Sequence, residues 1–195
     1  MALRSLIRDF GCLVRRDGYA GTLRKLTGAL ARTELLVVVK RLDAIAPIAF
    51  APRLEISELD HGSLAALAEL NRRRCDTRAT DRFASDLARG CGGLVARDDG
   101  RLAGYYWWTD REHRHLDRLE ITLAEGDVYG FDFFMAEEHR GDGRAVEFLH
   151  AVETTLRDRG FARVWGYVRA DNRPARWLYE ARGYEVVRRV HLRSP

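Results

Sequence analysis

Arg140-Gly141-Asp142-Gly143-Arg144-Ala145 is the stretch on which the fold turns. The apolar run Phe131 to Met135 before it reads as a buried strand. After it, Ala145, Leu149, Val152 and Leu156 recur at helical spacing, so the glycines stand where a strand becomes a helix. Glycine lets the backbone approach another group with no Cβ in the way. The start of a helix leaves several N–H groups unpaired at the positive end of its dipole, where a phosphate or pyrophosphate satisfies them. A tight αβ turn without a ligand also uses glycine, so this stretch alone leaves both readings open.

A second motif follows another strand-like run, Phe161 to Arg169: Asn172-Arg173-Pro174-Ala175-Arg176-Trp177-Leu178-Tyr179-Glu180-Ala181-Arg182-Gly183-Tyr184. In order and spacing the pair resembles the GCN5-related N-acetyltransferase (GNAT) superfamily. The acyl-CoA pyrophosphate loop of that family, R/Q-x-x-G-x-G/A, is matched by Arg140, Gly143 and Ala145. Its later helix, N-x-x-A-x-x-L-Y-x-x-x-G-F/Y, is matched by Asn172, Ala175, Leu178, Tyr179, Gly183 and Tyr184. The detailed match covers roughly residues 128 to 190, and a looser one reaches back to about residue 53. Two residues depart from the pattern. Arg144 replaces an apolar residue, and Asp142 adds a negative charge beside the proposed pyrophosphate. Arg144 can offset that charge or bind phosphate itself.

The resemblance implies an α/β fold: a GNAT-like mixed, mostly antiparallel sheet flanked by helices on both faces and splayed beside the cofactor strand. At 195 residues the chain fits one domain of ordinary size with an extension. We expect a basic helical extension with one strand over residues 1–50 and the acyltransferase domain over 51–195. In the extension, Leu3, Leu6, Ile7, Phe10 and Val14 form an apolar stripe, with Arg4, Arg8 and Arg15 off it, so residues 2–16 read as an amphipathic helix. Such a helix can pack on its own domain, contact a second copy in a homo-oligomer, or make peripheral membrane contact through residues 1–32. Glu34 to Leu42 reads as a strand. Leu54-Glu55-Ile56 starts another, Ser63 opens a helix, and Asp98-Asp99-Gly100 marks a hairpin. Leu119 to Leu123 reads as a further strand. Tyr105-Tyr106-Trp107-Trp108 sends two rings to each face of the sheet, one pair for the core and the other for the core or an acceptor pocket.

The net charge of +4 is unevenly spread. Residues 1–50 carry nine Lys or Arg against four acids, and residues 155–195 carry ten against four, which leaves the middle acidic. Basic ends suit anionic ligands, although a solvated surface explains the pattern as well. The arginines are not interleaved with aromatics in one patch, so no nucleic-acid partner is expected. Cys12, Cys75 and Cys91 are odd in number and lack C-x-x-C spacing, which indicates neither a disulfide framework nor a metal site. No run is apolar and long enough for a signal peptide or a membrane span, and the expected localisation is cytoplasmic.

The chemistry that the resemblance implies is direct attack of an amine on an acyl-CoA thioester. A backbone N–H around Phe134 and Met135 polarises the carbonyl, and the Tyr179 hydroxyl protonates the departing sulfur. Arg140, Gly141, Asp142, Gly143, Arg144 and Ala145 hold the pyrophosphate. Asn172 contacts the cofactor or caps its helix. The base is sought from the residues themselves. Asp132 lies within an apolar strand, where an acid is costly unless paired or used, so it reads as base, substrate anchor or structurally paired acid. His113 and His115 are further candidates. The expected function is acyl transfer, with acetyl-CoA or a similar acyl-CoA as co-substrate, to a primary amine of a small molecule such as an amino sugar or natural-product intermediate. A protein or peptide amine, or non-catalytic acyl-CoA binding as a sensor or scaffold, are the alternatives.

Overall fold

The computed structural model describes residues 33–73 and 78–192. The amphipathic segment over residues 2–16, Cys12 and Cys75 lie outside them. The strands are β1 (Thr33–Arg41), β2 (Glu55–Glu58), β3 (Gly92–Asp98), β4 (Arg101–Thr109), β5 (Asp127–Met135), β6 (Arg163–Arg169) and β7 (Glu185–Leu192). The helices are α1 (Leu64–Arg73), α2 (Arg78–Ala88), α3 (Leu116–Leu119), α4 (Arg144–Asp158) and α5 (Arg173–Ala181). The strands form one open sheet in the order β2-β3-β4-β5-β6-β1-β7. Only β5 and β6 pair in parallel, and the other neighbours are antiparallel. This is the mixed, mostly antiparallel sheet that the resemblance implies, with helices on both faces.

Strand alternation builds two cores. Leu36, Val38, Tyr106, Trp108 and Val128 meet Phe148, Leu149, Val152 and Leu156 of α4 and Leu178 and Tyr179 of α5 on one face. Leu35, Val37, Tyr105, Trp107, Tyr129 and Phe131 meet Leu67 and Leu70 of α1 and Phe83 of α2 on the other. All four rings of the aromatic run are at most 4% exposed. The run is therefore core on both faces, and the alternative of a pocket lining falls away. The hairpin between β3 and β4 turns through Asp99 and Gly100, both at positive φ, as the Asp-Asp-Gly signal predicts.

One predicted element is corrected. Residues 119–123 are not a strand. Leu119 ends the short helix α3, Glu120 takes a left-handed conformation at φ 52, and the Ile121 N–H donates back to the Leu116 carbonyl. That chain reversal lets Ile121 reach the core without extending. A second finding concerns β1, the strand placed with residues 1–50. It is an inner strand of the sheet, paired along its length with β6 on one side and β7 on the other.

Under α4 and α5 lies a cluster of buried charges that carries no sequence signal. The Lys40 ammonium of β1 and the Arg182 guanidinium after α5 stand 2.7 and 2.5 Å from the same Glu153 oxygen on α4. All three residues are at most 5% exposed. Burial lowers the Lys40 pKa, and the bond to Glu153 opposes that shift. Arg182 also donates to the Ala46 carbonyl, tying the connector between β1 and β2 to the helices. Removing the shared carboxylate leaves two cations buried without it, so Glu153→Gln is expected to destabilise the fold by about 3–5 kcal/mol. Denaturant titration measures this; a loss near zero would mean that water or the connector carbonyls take over the carboxylate's role.

Candidate active site

The parallel pairing of β5 with β6 covers only Asp127↔Arg163, Val128↔Val164 and Tyr129↔Trp165. Beyond Tyr129 the two strands part, and β6 continues against β1 alone. Asp127 fixes the closed end of this opening. Its buried carboxylate accepts from Arg163 Nε at 2.7 Å, Arg163 Nη2 at 3.0 Å, Trp165 Nε1 at 2.9 Å and the Ala124 N–H at 3.0 Å. A bulge in β5 turns the strand away. Tyr105 and Trp107 of β4 face Phe134 and Phe131, so β5 carries one extra residue, and Asp132 sits there at φ 50. Gly130 is required at the parting point, because a Cβ there would lie 1.6 Å from the Tyr106 hydroxyl.

The direction of the β5 backbone past the bulge follows from its bonds to β4. The Ala136 N–H donates to the Ala103 carbonyl, and the Phe134 carbonyl presses on Gly104. Alternation then turns the N–H and C=O of Met135, the residue between them, toward the open edge. Its carbonyl accepts from Arg140 Nε at 3.0 Å. Of Phe134 and Met135, Met135 turns its N–H toward the open edge; Phe134 faces β4 through its backbone, and its ring lies under the Arg140 guanidinium at 5.9 Å.

At the wide end of the opening, Gly141, Asp142 and Gly143 all have positive φ, at 105°, 48° and 80°, and α4 begins at Arg144. Glycine takes this conformation without strain. Gly143 has a second reason to be glycine, since a Cβ there would meet the Phe50 ring at 2.8 Å. The connector bearing Phe50 is pinned to the same helix start, where Glu147 accepts the N–H groups of Arg53 and Leu54, each at 2.7 Å. Arg144 turns back to Asp98 of the hairpin, at 2.6 Å, and stands 3.3 Å from Asp142. Its guanidinium is thus shared between two carboxylates, with Asp98 the nearer. Ala145 lies half-buried in the first turn.

Asn172 caps α5, its side chain accepting from the Ala175 N–H at 3.2 Å, with Pro174 in the first turn. Tyr179 is 8% exposed, its ring edge-on to Tyr184 at 4.7 Å. Burial, followed by Tyr167 and Glu153, pushes its phenol above the ordinary range, so it keeps its proton at neutral pH. Among the described residues its hydroxyl has no hydrogen-bond partner. The phenol therefore holds a proton that no described neighbour uses.

The other face of the sheet carries a different set. The Asp132 carboxylate is paired with Arg82 of α2, their side chains 22% and 30% exposed. His113 stacks on Phe131 at 4.4 Å, and His115 Nδ1 lies 3.2 Å from the Tyr129 hydroxyl and edge-on to Tyr167. Burial lowers both imidazoles to a pKa of about 4, with the neighbouring arginines adding to the shift, so both are neutral near pH 7. Arg82 was invisible to motif reading. It stands 50 residues before Asp132, in a stretch, Arg72 to Asp86, that reads as polar and turn-rich with a short helix near its end. Where β5 and β6 part, the two faces of the sheet thus carry different groups: phenol and glycine loop with one, carboxylate and imidazoles with the other.

The Acetyltransferase (GNAT) family profile matches residues 60–184. This chain belongs to the GNAT acetyltransferase family. A mycothiol acetyltransferase from Thermobifida fusca is 36% identical over 96 residues, 47% of this chain and 27% of that protein. Another from Clavibacter sepedonicus is 38% identical over 87 residues, 44% of this chain and 24% of that protein. The chain thus spans about a quarter of the length of these curated relatives. A solved structure of a functionally unknown conserved protein from Staphylococcus epidermidis superposes with a TM-score of 0.63 at 12% identity, over 87% of this chain and 64% of that one. A GNAT-family protein from Novosphingobium aromaticivorans gives 0.57 at 20% identity, over 83% and 63%. Both likenesses are of fold. The family's acyl donor, acetyl-CoA, suits an opening with a backbone N–H at its edge and a glycine loop at its mouth. No helix among the described residues is long and apolar enough to cross a membrane.

Proposed function

We propose that this GNAT protein transfers an acetyl group from acetyl-CoA to the primary amine of a small molecule, such as an amino sugar or natural-product intermediate. The observation that carries the reading is the opening between β5 and β6, which lets a thioester on the Tyr179 face meet an amine on the Asp132 face. The names of the relatives, mycothiol acetyltransferases, support a small-molecule amine.

In this reading the pyrophosphate lies at the turn from Arg140 to Ala145, and the thioester oxygen takes the Met135 N–H, which stabilises the charge that develops there. Asp132 removes the ammonium proton, directly or through water. The amine nitrogen then bonds to the acyl carbon, its second proton passes to solvent, and the C–S bond breaks as the carbonyl re-forms. Tyr179 gives its proton to the leaving thiolate and regains one from solvent.

Calorimetric titration with acetyl-CoA, longer acyl-CoAs and CoA tests this, run beside Gly143→Glu. Wild-type protein is expected to bind with Kd on the order of micromolar. The variant is expected to lose that binding, because a side chain at Gly143 fills the helix mouth, and to melt at a lower temperature but still cooperatively, because its Cβ meets the end of the Phe50 ring at a positive φ. No binding by the wild type would leave the glycine turn as structure alone.

A further inference from the structure

The amine side of the opening is charged in a way that narrows the acceptor. Asp132 reaches it already paired with Arg82. The Arg82 side chain is 30% exposed and bonds Asp132 through Nη2, so its exposed N–H groups can take a second anion. The residues lining the same side are uncharged near neutral pH: His113, His115, Tyr129 and Tyr167. Arg82 and Arg114 act on His113, His115 and Tyr167 alike, while Arg89, which also acts on His113, is already paired with Asp86. Two cations, Arg82 and Arg114, thus act on this side against the one carboxylate of Asp132.

A bare ammonium meets this surface as one more cation, beside a carboxylate that a guanidinium already neutralises. An acceptor carrying its own anion adds no net charge. Its amine goes to Asp132, its anion goes to the exposed N–H groups of Arg82, and one ion pair becomes a set in which no charge is stranded. We propose that the acceptor bears an anionic group, carboxylate or phosphate, within reach of its amine, and that Arg82 holds that anion while Asp132 holds the amine. The inference rests on the acyl-transfer reading of the opening and adds to it a specificity-determining residue and an acceptor class.

Two matched pairs test it, with thiol release from acetyl-CoA as the readout: alanine against alaninamide, and glucosamine 6-phosphate against glucosamine. In at least one pair the anionic member is expected to have the higher kcat/KM, by about tenfold or more and mainly through KM. The pair that shows the preference says which anion is read. Arg82→Gln should bring the ratio within that pair to about one, and Arg82→Lys should keep part of it. A general loss of structure would lower both members together and leave the ratio standing. Equal or better use of the uncharged member in both pairs overturns the proposal. So does turnover of none of the four while acetyl-CoA still binds, an outcome that leaves the acyl-CoA reading intact. Failure to bind acetyl-CoA would instead sink that earlier reading.

Discussion

Tyr179→Phe is expected to lower kcat by about 10²- to 10⁴-fold, the usual contribution of a positioned proton donor, with little change in KM for acetyl-CoA. The physical case is the isolation of the hydroxyl. The ring is packed against Tyr184, so phenylalanine keeps the fit. The oxygen bonds to none of the described residues, so its removal should leave the thermal midpoint near that of the wild type. A change in rate without a change in stability is the signature of a group that acts on the leaving thiolate. Steady-state kinetics on both proteins decide the matter. An unchanged kcat would return Tyr179 to the core and hand the leaving-group proton to water.

Removing residues 1–50 is expected to abolish cooperative folding altogether. That cut takes β1 from the middle of the sheet, frees β7 from its strand partner and exposes the β6 edge. It strips Leu35, Leu36, Val37 and Val38, each at most 4% exposed, from both cores at once. At about 1.5–3 kcal/mol for each buried aliphatic side chain, these four approach the whole net stability of an ordinary domain, about 5–15 kcal/mol. Lys40 leaves with them, and the Glu153–Arg182 pair loses its third member. Circular dichroism during heating is the measurement: no sigmoidal transition for a chain starting at Ala51. A sharp transition would show that residues 51–195 are an autonomous unit, as the division at residue 50 expects.

What the sequence made legible was what local pattern dictates. The strand-to-helix glycine turn, the Asn172 cap, the hairpin at Asp99-Gly100 and the alternation of Tyr105 to Trp108 each depend on residues close in the chain. The residues missed depend on distant ones. Glu153 sits on the sheet-facing side of α4 among apolar neighbours, and its reason lies on β1 and after α5. Asp132 stood out as an acid in an apolar strand, but neither its bulge nor Arg82 could be foreseen, since a bulge is a mismatch between two strands and is written in neither. Leu119 to Leu123 misled because its apolar spacing suits a strand. The turn at Glu120 is imposed by the packing of Leu116, Leu119 and Ile121 in one core.

The place of β1 also sets a schedule. It is the first strand of the described chain to leave the ribosome, yet it pairs with β6 and β7, the last two: Thr33 with Leu192, and Leu35 with Arg169. Such long-range closure is slow, because the loop must be ordered before its contacts are gained. Until then Leu35-Leu36-Val37-Val38-Val39, an apolar β-forming run, waits unpaired beside a growing chain, the condition in which nascent proteins are most open to aggregation and to capture by chaperones.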